Sequence, residues 1–124
     1  MVPRTARGLS AGAAATALAA LTVMAAPASA AVSAPAVTFA YCSAGSTYMV
    51  FCEAYWEGGA DPATARWSDG RNTWMGPGQY NSATRRTWAG GTCNPGSLFY
   101  AKVTITDAAG QVTERLVPGG RACR

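Results

Sequence analysis

Ser97-Leu98-Phe99-Tyr100-Ala101-Lys102-Val103-Thr104-Ile105-Thr106 runs into Asp107-Ala108-Ala109-Gly110, and Gln111-Val112-Thr113-Glu114-Arg115-Leu116-Val117 follows. In the first run Phe99, Ala101, Val103 and Ile105 fall on one side of an extended chain. Tyr100, Lys102, Thr104 and Thr106 fall on the other, as a half-buried strand requires. Asp107 and Gly110 supply turn chemistry, so 97–117 predicts an antiparallel hairpin. Working outward, the same kind of short β-rich run recurs at 37–42, 47–55, 63–68, 72–75 and 84–89, the last closed by Gly90-Gly91. Turn residues separate these runs and none has a helical period. About seven short strands at this spacing predict an all-β, antiparallel β-sandwich, with a small closed barrel as the alternative.

The chain begins differently. Arg4 and Arg7 precede an Ala/Leu-rich apolar stretch over 9–26, and Ala28-Ser29-Ala30 ends it with small residues. That is the make-up of a cleavable secretory signal peptide over 1–30. A retained anchor fits less well, because the stretch is mostly alanine where a span takes about 20 predominantly apolar residues. The n-region has no twin-arginine pair and the cleavage site no cysteine for lipidation. Cleavage leaves 94 of the 124 residues: a flexible arm over 31–36 and one domain over 37–124, expected to be secreted and extracellular.

Cys42, Cys52, Cys93 and Cys123 all lie beyond the signal, where an oxidising medium favours two disulfide bonds. Four cysteines allow three pairings. If the final hairpin turns over 107–110, facing residue numbers total 217, and those of Cys93 and Cys123 total 216. An extended hairpin would bring them within the roughly 7 Å that a bridge needs between Cα atoms. Cys42–Cys52 is then the second bridge, closing a loop wider than a tight turn over 43–46.

Loss of Arg4 and Arg7 leaves eight basic side chains against six acidic ones, a net of +2, too mild to predict a nucleic-acid partner. Beyond Ala30 there are one isoleucine, two leucines and six valines, but all twelve aromatics. A core this poor in aliphatics must draw on aromatic packing and on its disulfides.

Two segments resemble the polycystic-kidney-disease (PKD)-like repeat, an immunoglobulin-like β-sandwich of secreted bacterial proteins. Pro95 through Gly110 is similar to the repeat's closing hairpin. Gly58-Gly59-Ala60-Asp61-Pro62, leading to Trp67-Ser68-Asp69-Gly70, is similar to its Gly-Pro loop and tryptophan strand. The resemblance implies a small immunoglobulin-like sandwich and a non-catalytic module.

Trp67, on an expected central strand, reads as core. Trp56 borders Gly58-Gly59, Trp74 borders Gly76-Pro77-Gly78, and Trp88 precedes Gly90-Gly91. With Tyr80 and Arg71 these form a candidate ligand-binding platform on loops; the alternative is that tryptophan fills the core. Arg66, Arg85 and Arg86 are further candidates to flank it. Asp61 and Asp69 read as turn formers rather than calcium ligands, and without histidine or a Cys-x-x-Cys pair no metal or other cofactor is expected.

The absence of histidine removes the common Ser-His-acid and Cys-His devices. Glu53, Glu57, Asp61 and Asp69 could be combined as a carboxylate pair only within a cleft that a domain of this size rarely builds. The sequence therefore predicts a monomeric binding module rather than an enzyme, one that recognises an extracellular polymer, sugar or protein and has no membrane attachment after signal cleavage. The alternative is a two-disulfide inhibitor of a secreted amylase or protease.

Overall fold

A computed structural model describes residues 19–20, 22, 24–26 and 30–124. Most of the segment read as a signal lies outside the described residues. Eight strands follow one another: β1 (Ala36–Ala44), β2 (Met49–Glu57), β3 (Thr64–Ser68), β4 (Thr73–Met75), β5 (Gln79–Asn81), β6 (Arg86–Cys93), β7 (Tyr100–Thr106) and β8 (Val112–Pro118). Among the described residues there is no helix, and none is long and apolar enough to cross a membrane. The larger sheet runs β1-β2-β6-β4 with β5 also on β6, and the smaller runs β3-β7-β8; every pairing of strands is antiparallel.

One buried cluster draws on both sheets. Val50, Cys52, Ala54 and Trp56 of β2 and Ala89 of β6 meet Ala65 and Trp67 of β3 and Ala101, Val103 and Ile105 of β7. The alternation read in the final hairpin holds: Phe99, Ala101, Val103 and Ile105 are buried while Tyr100, Lys102, Thr104 and Thr106 are half-exposed. Trp67 ties the sheets together. Its indole Nε1 donates to Thr87 Oγ1 on β6 at 3.0 Å, and that hydroxyl donates to Gln79 O on β5 at 2.7 Å.

Several expectations need correction. Facing positions in the final hairpin total 218, since Thr106 pairs with Val112. Asp107 N donates to Gln111 O and Gly110 takes φ 81°, so the loop is three residues closed by a left-handed glycine. The strand expected over 84–89 begins at Arg86 and runs through Gly90-Gly91 to Cys93. A Cβ on Gly91 would strike Trp74 O and the Met75 side chain, so that glycine permits close approach of β4 rather than ending β6. β5 has no aliphatic pattern and was not expected. The arm expected to be loose over 31–36 is held from Ser33, whose carbonyl accepts from Gly59 N at 2.7 Å. Pro35 is buried and Ala36 already pairs with Glu57.

Both expected disulfides are present, Cys42–Cys52 and Cys93–Cys123. Cys42 faces Cys52 directly in the β1–β2 register, with a loop at 46–48 in which Thr47 and Tyr48 take positive φ. Cys93–Cys123 forms by a different route from the one expected. The tail after β8 does run back beside 96–99, with Cys123 N on Ser97 O at 2.9 Å. Cys93, however, ends β6 in the other sheet, so the bridge fastens the tail to the larger sheet. The Cys93→Ser, Cys123→Ser double variant should lose about 2–4 kcal/mol in a urea titration, as opening a long loop predicts. An unchanged midpoint would show that the tail needs no covalent tie.

Candidate functional site

β2 alternates Val50, Cys52, Ala54 and Trp56 toward the core with Met49, Phe51, Glu53 and Tyr55 toward the outside. Register then places its neighbours. Across β1, Tyr55 faces Phe39, Glu53 faces Tyr41 and Phe51 faces Ser43. Across β6, Tyr55 faces Arg86, Glu53 faces Trp88 and Met49 faces Thr92, and beyond Thr92 lies Trp74 on β4. The outer face of the larger sheet therefore carries Phe39, Tyr41, Phe51, Tyr55, Trp74 and Trp88 around the Glu53 carboxylate, with Glu57 exposed at the end of β2. Phe39 is 54% exposed and Trp74 52%, while Glu53 is only 6% exposed.

A β-bulge turns Val37 away from this face, while Phe39 keeps the side of Tyr41. Plain alternation would set Val37, Phe39 and Tyr41 on one side, but the register shifts between Val37 and Phe39. Val37 thus packs against the core opposite Trp56, and Phe39 stays outward opposite Tyr55. Its ring lies 5.7 Å from Tyr41 and 6.3 Å from Tyr55, tilted to both.

Glu53 organises the centre. Tyr41 Oη donates to Oε2 at 2.8 Å and Tyr55 Oη to Oε1 at 2.7 Å, and Arg86 Nε donates to Oε1 in a close ion pair. A tyrosine hydroxyl that reaches a carboxylate beside it cannot stand straight off the sheet. Both side chains therefore reach toward Glu53, which contributes to its burial, and both stay more than a third exposed. The Arg86 guanidinium also lies over the Trp88 ring, 5.1 Å from its centroid. Beside Trp88 a depression of about 370 Å³ is lined by Gly78, Gln79, Ala89 and Gly90.

The hydrogen bond from Arg86 is the main cause that lowers the Glu53 carboxyl to about 2, aided by the two tyrosines and opposed by burial. The same contacts push both phenols above their ordinary value, with the hydrogen bond to Glu53 as the main cause and burial second. Arg86 is raised by its bond to Glu53.

The sequence-predicted residues separate. Trp74 and Trp88 share the aromatic face. Trp56, expected beside a loop, is 2% exposed and belongs to the core. Its parity with Cys52 on β2 fixes this, since Cys52 points inward to reach Cys42. Tyr80 pairs with Thr87, on the side of β5 opposite Trp88, so it does not join the platform. Arg71 sits in the turn before β4, where its carbonyl accepts from Thr73 Oγ1 at 2.7 Å and Tyr100 N at 3.1 Å, away from the aromatic face. Arg85 is held by Asp61 at 3.1 Å and by Gly58 O, and Arg66 lies on the smaller sheet; only Arg86 flanks the platform. Asp69 accepts from Met75 N at 2.7 Å, as its turn reading expects.

No family model, curated protein or solved structure matches this chain. The site must therefore be read from its chemistry.

Phe39, Tyr41, Phe51 and Tyr55 were not among the expected site residues. The available signal was parity: Phe51 and Tyr55 share the side of Glu53, and an ionised carboxylate does not point into a core. Because its carboxyl is depressed, Glu53 contributes stability above its unfolded value near 4.3. That contribution is lost as pH falls toward about 2. Acid unfolding of Glu53→Gln should show a shallower loss across that window. A spectroscopic titration should find Tyr41 and Tyr55 ionising above the ordinary phenol range, and Glu53→Gln should bring them back.

Proposed function

We propose that the chain is a secreted, non-catalytic, immunoglobulin-like binding module that holds an extracellular partner on the aromatic face of its larger sheet. The carrying observation is six aromatic side chains on one solvent-facing sheet surface, at a point where a soluble monomer ordinarily avoids contiguous apolar area. The outer face of the smaller sheet offers the contrast. It carries Arg66, Lys102, Thr104 and Glu114, with a Lys102–Glu114 contact at 3.4 Å, and only scattered apolar side chains.

The strand order supports the immunoglobulin-like reading. Four strands in the order first-second-sixth-fourth face three in the order third-seventh-eighth. That is the four-on-three connectivity of the constant-type immunoglobulin sandwich, with β5 as an added short edge strand. Trp67 takes the place of the buried tryptophan on the third strand. The disulfides differ, joining β1 to β2 and β6 to the tail, where the immunoglobulin bridge crosses between sheets. Two disulfides suit an oxidising compartment and support export. Ser33, whose carbonyl accepts from Gly59 N, lies just after the expected cleavage site.

A flat sheet face favours a polymer or extended surface over the inhibitor reading, which calls for a projecting rigid loop. The test is retention of the purified protein by microbial cell walls, insoluble polysaccharides and immobilised extracellular proteins. Trp88→Ala or Phe51→Ala should weaken retention about tenfold, the effect of removing an anchor worth about 1–2 kcal/mol. Both positions are surface sites, so the variants should keep the wild-type thermal midpoint. Retention by none of these materials would remove the reading.

A further inference from the structure

The aromatic face has a chemical character narrower than "apolar". Its charged groups at the centre, Glu53 and Arg86, cancel in a direct ion pair, and no other charged side chain shares the rows between Phe39 and Trp88. The basic side chains without a carboxylate partner lie off these rows: Arg66 on the smaller sheet, Arg71 in a turn, Arg115 on β8 donating to Val37 O, and Arg121 and Arg124 in the tail beside Ser43 and Ala44. On these rows an acidic polymer would find only an arginine already neutralised by Glu53.

What the face offers is flat ring surface and hydrogen-bonding edges. The Tyr41 and Tyr55 rings are fixed by their hydroxyls on Glu53, and Arg86 is fixed between Glu53 and Trp88. Side chains held in this way lose little freedom on binding. The Arg86 guanidinium keeps donors beyond the Nε that Glu53 engages, over the Trp88 ring.

We infer, resting on the reading above, that the partner is a neutral β-linked polysaccharide whose sugar rings stack flat on Tyr41, Tyr55 and Trp88, with Arg86 donating to ring hydroxyls. Such a chain is ribbon-like, with C–H groups on its two broad faces and hydroxyls at its edges. That pattern matches ring faces flanked by a guanidinium. A helical α-linked glucan presents no comparable flat ribbon. Glu53 acts as a positioning residue: it touches no sugar but holds both tyrosines and the arginine in place.

Depletion assays with microcrystalline cellulose, chitin, granular starch and polygalacturonate test this, using wild type, Trp88→Ala and Glu53→Gln. Wild type should be retained on cellulose or chitin at least about tenfold more than on starch or polygalacturonate. Trp88→Ala should lose about tenfold. Glu53→Gln, assayed well below its lowered thermal midpoint, should weaken binding together with an earlier tyrosine titration. Preference for polygalacturonate or starch would overturn the inference. So would retention that Trp88→Ala leaves unchanged, or a dimer in light scattering that Trp88→Ala dissolves. Trp88-dependent retention by cell walls or proteins, with none on cellulose or chitin, overturns the polysaccharide assignment but leaves the binding-module reading standing. Retention by nothing removes both.

Discussion

The buried indole of Trp67 is the contact on which the two-sheet arrangement turns. A domain with so few aliphatic side chains has little core volume, and a single large ring fills much of the gap between β3 and β6. Its one polar atom must be paired there, because an unpaired buried donor costs about 1–3 kcal/mol. Thr87 supplies the acceptor and passes its own proton to Gln79 O, so one side chain links β3, β6 and β5. The backbone follows suit: Trp67 N donates to Pro77 O at 2.9 Å, and a Cβ on Gly78 would lie 2.7 Å from the indole. The loop expected from Gly76-Pro77-Gly78 is thus shaped to admit Trp67, and the short strand β5 grows out of it.

Asp107 plays a smaller organising role at one end. Its carboxylate accepts from Ala60 N, Ala109 N, Gln111 N and Gln111 Nε2, tying the final turn to the loop before β3. Those bonds hold its carboxyl below the usual range, that from Ala60 N foremost. At the other end Cys93–Cys123, with Tyr48 N on Arg124 O, binds the tail across the β1–β2 loop. The tail also pairs with the free edge of β1, through the Cys42–Gly119 bridge, and so covers one exposed strand edge.

The all-β class and the final hairpin were legible in the sequence, because each rests on a local rule. Trp67 is buried as expected, although β3 is an edge strand rather than a central one, and Cys93–Cys123 pairs as expected, although not through the hairpin register that suggested it. Alternation identifies Phe99 through Thr106 without reference to anything distant. What was not legible depends on neighbours. The glycines at 90 and 91 look like a stop until β4 is known to press against them. The bulge after Val37 cannot be read from residue types, yet it decides whether Val37 is core or surface. Turn proximity was a poor guide to exposure: Trp56 stands next to Gly58-Gly59 and is buried, while Phe51 and Tyr55 lie mid-strand and face solvent.

The placement of aromatics is the strongest reason to look for function on the larger sheet. Three of the twelve, Trp56, Trp67 and Phe99, fill the core, and six lie on one outer face. A chain this short of core-forming side chains gains little burial from rings left in water, and a flat apolar sheet face invites self-association. Moreover, the face is not merely tolerated. Glu53 is sunk beneath it at the desolvation cost of a carboxylate, and that cost is offset only by drawing Arg86, Tyr41 and Tyr55 into fixed positions. At neutral pH those same contacts keep the carboxylate ionised and add to stability, so the ordered rings and the ion pair beneath them form one unit.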